Sequence, residues 1–152
     1  MSQRPALFRT VPEQDFLGFW ANRAFRPDKV AKFLSLDRSD VAKVAGVSVK
    51  SVRYDQKIPK EVLDRLTEIA TICGLVAQFF EGDDSKTTVW FKTPNPLLGG
   101  MAPRDMIRLG RYEKLRRFVV NALLEDGVEP AASTEIQFAV ERSNEEAQTS
   151  AA

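Results

Sequence analysis

Along most of this chain apolar residues recur at steps of three and four, the spacing of helices that bury one side. Phe16, Leu17 and Trp20 mark a first short helix after Pro12, and Val30, Phe33 and Leu34 mark a second after Pro27. Both prolines sit where a first helical turn tolerates a missing N–H. Asp37 and Asp40 open a third helix, since carboxylates favour the positive end of the helix dipole. Pro59 starts the longest helix, which ends near Phe80 and carries Val62, Leu66, Ile69, Cys73, Val76 and Phe80 in one stripe. Leu63, Ile72, Leu75 and Phe79 add a second apolar face in its later half. A helix this apolar needs cover on more than one side, and so short a chain points to a subunit interface there.

The pattern then changes. Glu81 to Ser85 reads as a turn, and Thr87 to Phe91, rich in β-branched and aromatic residues, reads as a very short strand. Pro103 opens a helical turn through Ile107, which Gly110 interrupts. A final helix from about Arg111 presents Leu115, Phe118, Val119, Ala122 and Leu123 on one face and stops near Gly127.

Residues Val41 to Val52 have the make-up of a helix-turn-helix. A tight bihelical unit needs a small residue at the crossing, supplied by Ala42, and a permissive turn residue, supplied by Gly46. Val41, Ala45, Val47 and Val52 are spaced to lock the two helices, and Ser48 is placed to cap the second. Recognition of DNA then falls to Lys50, Ser51, Arg53 and Tyr54, which can reach base edges or phosphates. Asp55 stands where an apolar residue is expected, with Ile58 as its substitute, and would repel phosphate if it faced the groove.

Between Trp90 and Gly100 lies a segment of another kind. Trp90 and Phe91 are large anchors, and Pro94 and Pro96 stiffen the backbone that follows. Gly99 and Gly100 open conformations closed to other residues. A rigid loop beside aromatic anchors is a good docking surface, because little entropy is lost on binding. The alternative is a loop that merely packs against the last helix.

Composition narrows the classes of function. With 43% hydrophobic and 28% charged residues the chain is ordinary for a globular protein. The net charge of +1 hides a gradient: residues 1–130 hold 21 Lys/Arg against 17 Asp/Glu, and residues 131–152 hold one Arg against four Glu. A weakly basic body with an acidic tail fits a modest DNA binder. No histidine is present, which removes the commonest general base and metal ligand. Gly99-Gly100 lacks the Lys-Ser/Thr of a phosphate loop, and one cysteine cannot build a structural zinc site. No catalytic residue, cofactor, metal or small-molecule substrate is expected. Cys73 suits a reducing compartment and reads as a buried hydrophobe. The first residues lack the apolar core of a signal peptide, and Ile69 to Phe80 is too short to span a bilayer, so a cytoplasmic protein without a membrane partner is expected.

The motif Trp90-x-x-Thr93-Pro94-Asn95-x-Leu97-Leu98-Gly99-Gly100-x-x-Pro103-x-Asp105-Met106-Ile107, followed by Gly110 and a helix ending at Gly127, resembles the toxin-binding domain of Xre/MbcA/ParS-type antitoxins. Residues 37–56 are similar to the Xre-like part of the same proteins. The resemblance spans roughly residues 25–127. It implies a mostly α fold: an Xre-like helix-turn-helix domain followed by a small helical toxin-binding domain with a rigid Pro/Gly loop. The expected divisions are an N-terminal helical extension (1–25), the helix-turn-helix domain with its long helix (26–81), the toxin-binding domain (82–130) and an acidic tail (131–152). The resemblance further implies an antitoxin that sterically inhibits a cognate RES-type, NAD-consuming toxin, the complex commonly repressing its own operon; operator DNA and, from the apolar long helix, a homodimer are the other partners expected. Trp90, Thr93, Asn95, Leu98, Gly99 and Gly100 would belong to the toxin-binding module, with Trp90 and Leu98 partly structural. Ser48, Lys50, Ser51, Arg53 and Tyr54 would form the DNA-binding set. The rival reading is a free-standing repressor that uses the C-terminal module for self-association. Glu135 to Glu141 alternates like a strand without an evident partner and, being acidic, is a candidate to approach the toxin's active-site cleft.

Overall fold

The structure is a computed structural model, and it describes residues 15–21 and 24–127. The expected strand at Glu135 to Glu141 and the rest of the tail lie outside the described residues. Six α-helices and one two-stranded hairpin make up the described fold.

The N-terminal part differs from the expected first helix. Residues from Asp15 form a turn leading into β1 (Trp20–Ala21), which pairs antiparallel with β2 (Ala24–Phe25). Two features prevent a helix here. The Asp15 carboxylate accepts hydrogen bonds from the Phe19 and Trp20 amides, at 2.9 and 3.0 Å, and Gly18 sits at a φ of 69°. Trp20, one of the residues that suggested a helix, instead packs at a tilt on Phe25, and its neighbour Phe19 starts a chain of edge-on aromatic contacts. Phe19 meets Phe33 at 5.7 Å, and Phe33 meets Phe91 at 6.1 Å.

Helix α1 (Pro27–Phe33) begins with its proline, and α2 (Arg38–Ala45) begins with a full capping box. The Asp37 side chain takes the Asp40 amide at 2.7 Å, while the Asp40 side chain takes the Asp37 amide at 3.1 Å. Gly46, at φ 70°, closes α2 in the left-handed conformation. Helix α3 (Lys60–Phe79) follows Pro59, as its spacing predicts.

Val62, Leu66, Ile69, Cys73 and Val76 of α3 are buried, and so are Ile72 and Leu75 of its second face. Helices α1 and α2 cover it from one direction, and α4 (Asp84–Lys92) and α6 (Tyr112–Glu125) from others. The expected need for a partner subunit therefore loses its main ground, because the chain covers its own long helix; Phe79 alone on that face stays exposed. Burial pushes the Cys73 thiol well above the ordinary cysteine range, which leaves it an inert core residue.

Two arginines of α5 (Pro103–Arg108) fasten this second half to the first. The Arg104 guanidinium donates to the Leu34 and Ser35 carbonyls in the α1–α2 turn, where Ser35 holds a left-handed φ of 52°. Arg108 donates to the Asp40 carboxylate at 3.2 Å and to Asp105 at the same distance. Burial by itself would raise the Asp40 pKa. The hydrogen bonds from the Asp37 amide and Arg108, with the charges of Arg108 and Arg104, outweigh it and hold the carboxyl below its usual value.

Arg104→Ala leaves those turn carbonyls without their charged donor, so we expect a loss of about 1.5–3 kcal/mol in urea-induced unfolding. The depressed Asp40 pKa makes its contribution present above the unfolded carboxyl value and lost as pH falls through the folded one. Asp40→Asn should therefore flatten the acid limb of the stability–pH curve, as followed by circular dichroism.

Candidate functional site

The bihelical unit is only partly what its sequence suggests. Val41, Ala42, Ala45 and Val52 are buried as expected, and Val47 and Ile58 pack against the core. The second helix, however, is a single 3₁₀ turn over Val49–Ser51, and Val52 already returns to an extended conformation. Ser48 makes no capping bond; its hydroxyl lies 2.7 Å from that of Ser51.

Competition for the backbone explains the shortening. Val49 and Val52 are poor helix formers, and Val52 is anchored by burial while its carbonyl accepts from Arg38 at 2.6 Å. Asp55 then accepts the Lys57 amide at 3.0 Å, which fixes a local turn in place of a helical one.

The side chains proposed to read DNA are unequal. Lys50 is exposed and makes no side-chain hydrogen bond or ion pair among the described residues. Tyr54 is on the surface, with burial raising its pKa. Arg53 is committed: its guanidinium meets the Asp55 carboxylate, with the Nε contact at 2.7 Å. The hydrogen bond from Arg53 lowers the Asp55 pKa, so the pair stays ionised. Asp55 thus spends its charge on the one arginine of the segment, a contact the sequence spacing of two residues could have signalled.

In the second module, Thr87 to Phe91 is helical, contrary to the expected strand. Asp83 caps α4 by accepting the Lys86 amide at 3.0 Å, and the Thr87 and Thr88 hydroxyls bond back to carbonyls four residues earlier. Thr87 and Phe91, four apart, are both fully buried while Val89 between them is exposed, which is helical and not strand spacing, since a strand would put all three on one face. Asn95 organises the loop that follows. Its side chain accepts the Leu97 amide at 3.0 Å, its carbonyl accepts the Leu98 and Gly100 amides, both at 2.9 Å, and its amide donates to Met101. Gly99 and Gly100 take φ values of 71° and 80°, which supply the return of the chain. The loop is preorganised by its own backbone.

Its apolar side chains divide cleanly. Trp90 and Leu98 pack against the core, and Thr93 caps the end of α4 by donating to the Val89 carbonyl at 2.6 Å. Leu97 and Val89, in contrast, stand 78% and 63% exposed. Neither was among the expected toxin-binding residues, although Leu97 stands in the motif. Their signal was present: with Thr87 and Phe91 inward on a helix, Val89 must face out, and a 3₁₀ turn sends Leu97 and Leu98 in different directions.

A cap-ordered α4, a loop closed on Asn95 and two exposed apolar side chains make up a small helical module. Residues 75–117 match the family model of the antitoxin Xre/MbcA/ParS C-terminal toxin-binding domain. The match begins inside α3 and ends inside α6, and it supports assignment to the Xre/MbcA/ParS-type antitoxin family on that segment. No curated protein and no solved structure matches the chain. Among the described residues, no helix is long and apolar enough to cross a membrane.

Gly100→Ala places a side chain at a left-handed φ, and we expect about 1–2 kcal/mol of strain in the loop. Hydrogen exchange should register this as faster exchange of the Leu98 and Gly100 amides, with the α3 amides unchanged.

Proposed function

We propose that this chain is an antitoxin that binds a cognate RES-type, NAD-consuming toxin and inhibits it sterically. The observation that carries this reading is the family match over residues 75–117 falling on a preorganised loop with outward apolar side chains. Thr93, Asn95, Gly99 and Gly100 act mainly by shaping the loop, Trp90 and Leu98 by seating it, and Val89 and Leu97 by entering the toxin. Exposed apolar residues on a rigid support lose little entropy on docking, which is why they dominate the affinity.

The same chain is proposed to repress its own operon through the bihelical unit. Lys50, Ser51, Arg53 and Tyr54, with Ser48 shaping the turn, are the residues in reach of DNA. A single 3₁₀ turn in place of a recognition helix, and an arginine shared with Asp55, favour weak contact dominated by phosphates. The cytoplasm is the compartment this reading requires.

Co-expression with the neighbouring gene, followed by co-purification and an assay of cellular NAD, tests the antitoxin reading. Stable association with NAD restored is the expected result. No association and no rescue would leave the free-standing repressor, with the loop serving self-association.

Leu97→Asp or Val89→Asp should weaken toxin binding by at least about 100-fold, as expected for a central anchor, in isothermal titration. Folding stability should move by no more than about 0.5 kcal/mol, because both positions are on the surface. Arg53→Ala should weaken operator binding and leave toxin neutralisation intact. Unchanged operator affinity in a gel-shift titration would remove Arg53 from the DNA-binding set.

A further inference from the structure

Nine arginines lie among the described residues, and seven of them are held by a carboxylate or a backbone carbonyl. The two exceptions are Arg111 and Arg117, and Lys114 stands between them. All three are exposed, and none makes a hydrogen bond or ion pair among the described residues. Steps of three residues put them in one row at the start of α6, along roughly 9 Å of its axis. Lys114 and Arg117 project from the side of α6 away from the buried Leu115, Val119 and Leu123, and Arg111 precedes them as the N-cap residue. Helix stability does not account for this placement. Arg111 is the N-cap residue and Lys114 lies in the first turn, where positive charge opposes the helix dipole.

The start of α6, which carries the row, lies near the end of α2. Arg65 of α3 donates to the Val44 carbonyl near the end of α2 at 3.0 Å, and its guanidinium carbon lies 4.2 Å from the centre of the Tyr112 ring. Tyr112 immediately follows Arg111, so the start of α6 sits beside the α2 turn. On the bihelical unit Arg53 is neutralised by Asp55, which leaves the exposed Lys43, Lys50 and Lys57 as its unpaired cations among the described residues.

We propose that Arg111, Lys114 and Arg117 form a phosphate-binding row that extends the DNA contact of the bihelical unit onto α6. This rests on the DNA-binding part of the proposed function. The row supplies sequence-independent affinity: each side chain neutralises a backbone phosphate and releases its counterion. It lies within the segment matching the toxin-binding family, so a protein partner is the competing occupant.

The test is fluorescence anisotropy of the full chain with a mixed-sequence DNA duplex between about 50 and 200 mM salt. The triple variant Arg111→Gln/Lys114→Gln/Arg117→Gln should show a log-affinity against log-salt slope shallower by about 2.7, at some 0.9 per lost contact. Arg111→Lys/Arg117→Lys, which keeps the charges, should retain the wild-type slope and so separates lost charge from lost fold. If the wild type binds and the triple variant has the same slope, the row does not contact DNA and only this inference falls. If the triple variant instead loses co-purification with the toxin while its slope is unchanged, the row is a protein contact. A wild-type chain that binds no duplex overturns both this inference and the DNA-binding reading.

Discussion

The need to cover both apolar faces of α3 governs the rest of this structure. Twenty residues long and apolar on two faces, α3 cannot be left half exposed without a large unfavourable contact with water. The helices before it cover one side and the helices after it cover the others. Truncating any one of Leu66, Ile69, Ile72 or Leu75 to alanine would cost about 2–5 kcal/mol, a large part of the stability of a domain this size. The two halves of the chain consequently share one hydrophobic core that runs from Phe19 to Leu123.

Polar contacts then fix how the halves meet. A hydrophobic face is non-directional, so burial of α3 alone would tolerate some sliding of α5 and α6 over the first half. Arg104 on the Leu34 and Ser35 carbonyls, Arg108 on Asp40, and Arg65 between Val44 and Tyr112 remove that freedom. Each joins a residue that caps or turns a helix to one more than twenty positions away. Asp40 serves twice, as part of the α2 capping box and as the acceptor for Arg108. The start of α2 and the position of α5 are therefore set by one carboxylate.

What was legible in the sequence follows from this division. Elements with a local boundary signal were readable: Pro27, Pro59 and Pro103 at helix starts, the Asp37–Asp40 box, and the glycines at 46, 110 and 127. The mostly helical fold and the docking loop rested on such signals, and the motif around Asn95 marked the segment that the family match covers. Three segments were misread where a longer-range contact decided. Thr87 to Phe91 has strand-favouring residues, but the Asp83 cap and the burial of Thr87 with Phe91 override that preference. Phe16 to Trp20 has helical spacing, but Asp15 captures two amides and Gly18 reverses the chain. The second helix of the bihelical unit was shortened by Asp55, a residue already anomalous in the pattern. Its effect on the backbone and on Arg53 needs coordinates, because a carboxylate two residues from an arginine can equally face solvent.

A shared core also constrains how the two proposed binding activities can be told apart in this chain. Substitutions in α3 act on both halves together, so a loss of toxin binding and of DNA binding after a core change says only that the fold was lost. Separation requires residues that project from the core without supporting it. Val89 and Leu97 meet that condition on the docking module, and Lys50 meets it on the bihelical unit, since each is exposed and none seats its element. Trp90 and Leu98 do not, although the sequence motif gives them equal standing with their neighbours: both pack on the core, so their removal would disturb the loop they hold. Within a motif of adjacent residues, burial thus distinguishes the side chains that build the surface from those available to a partner.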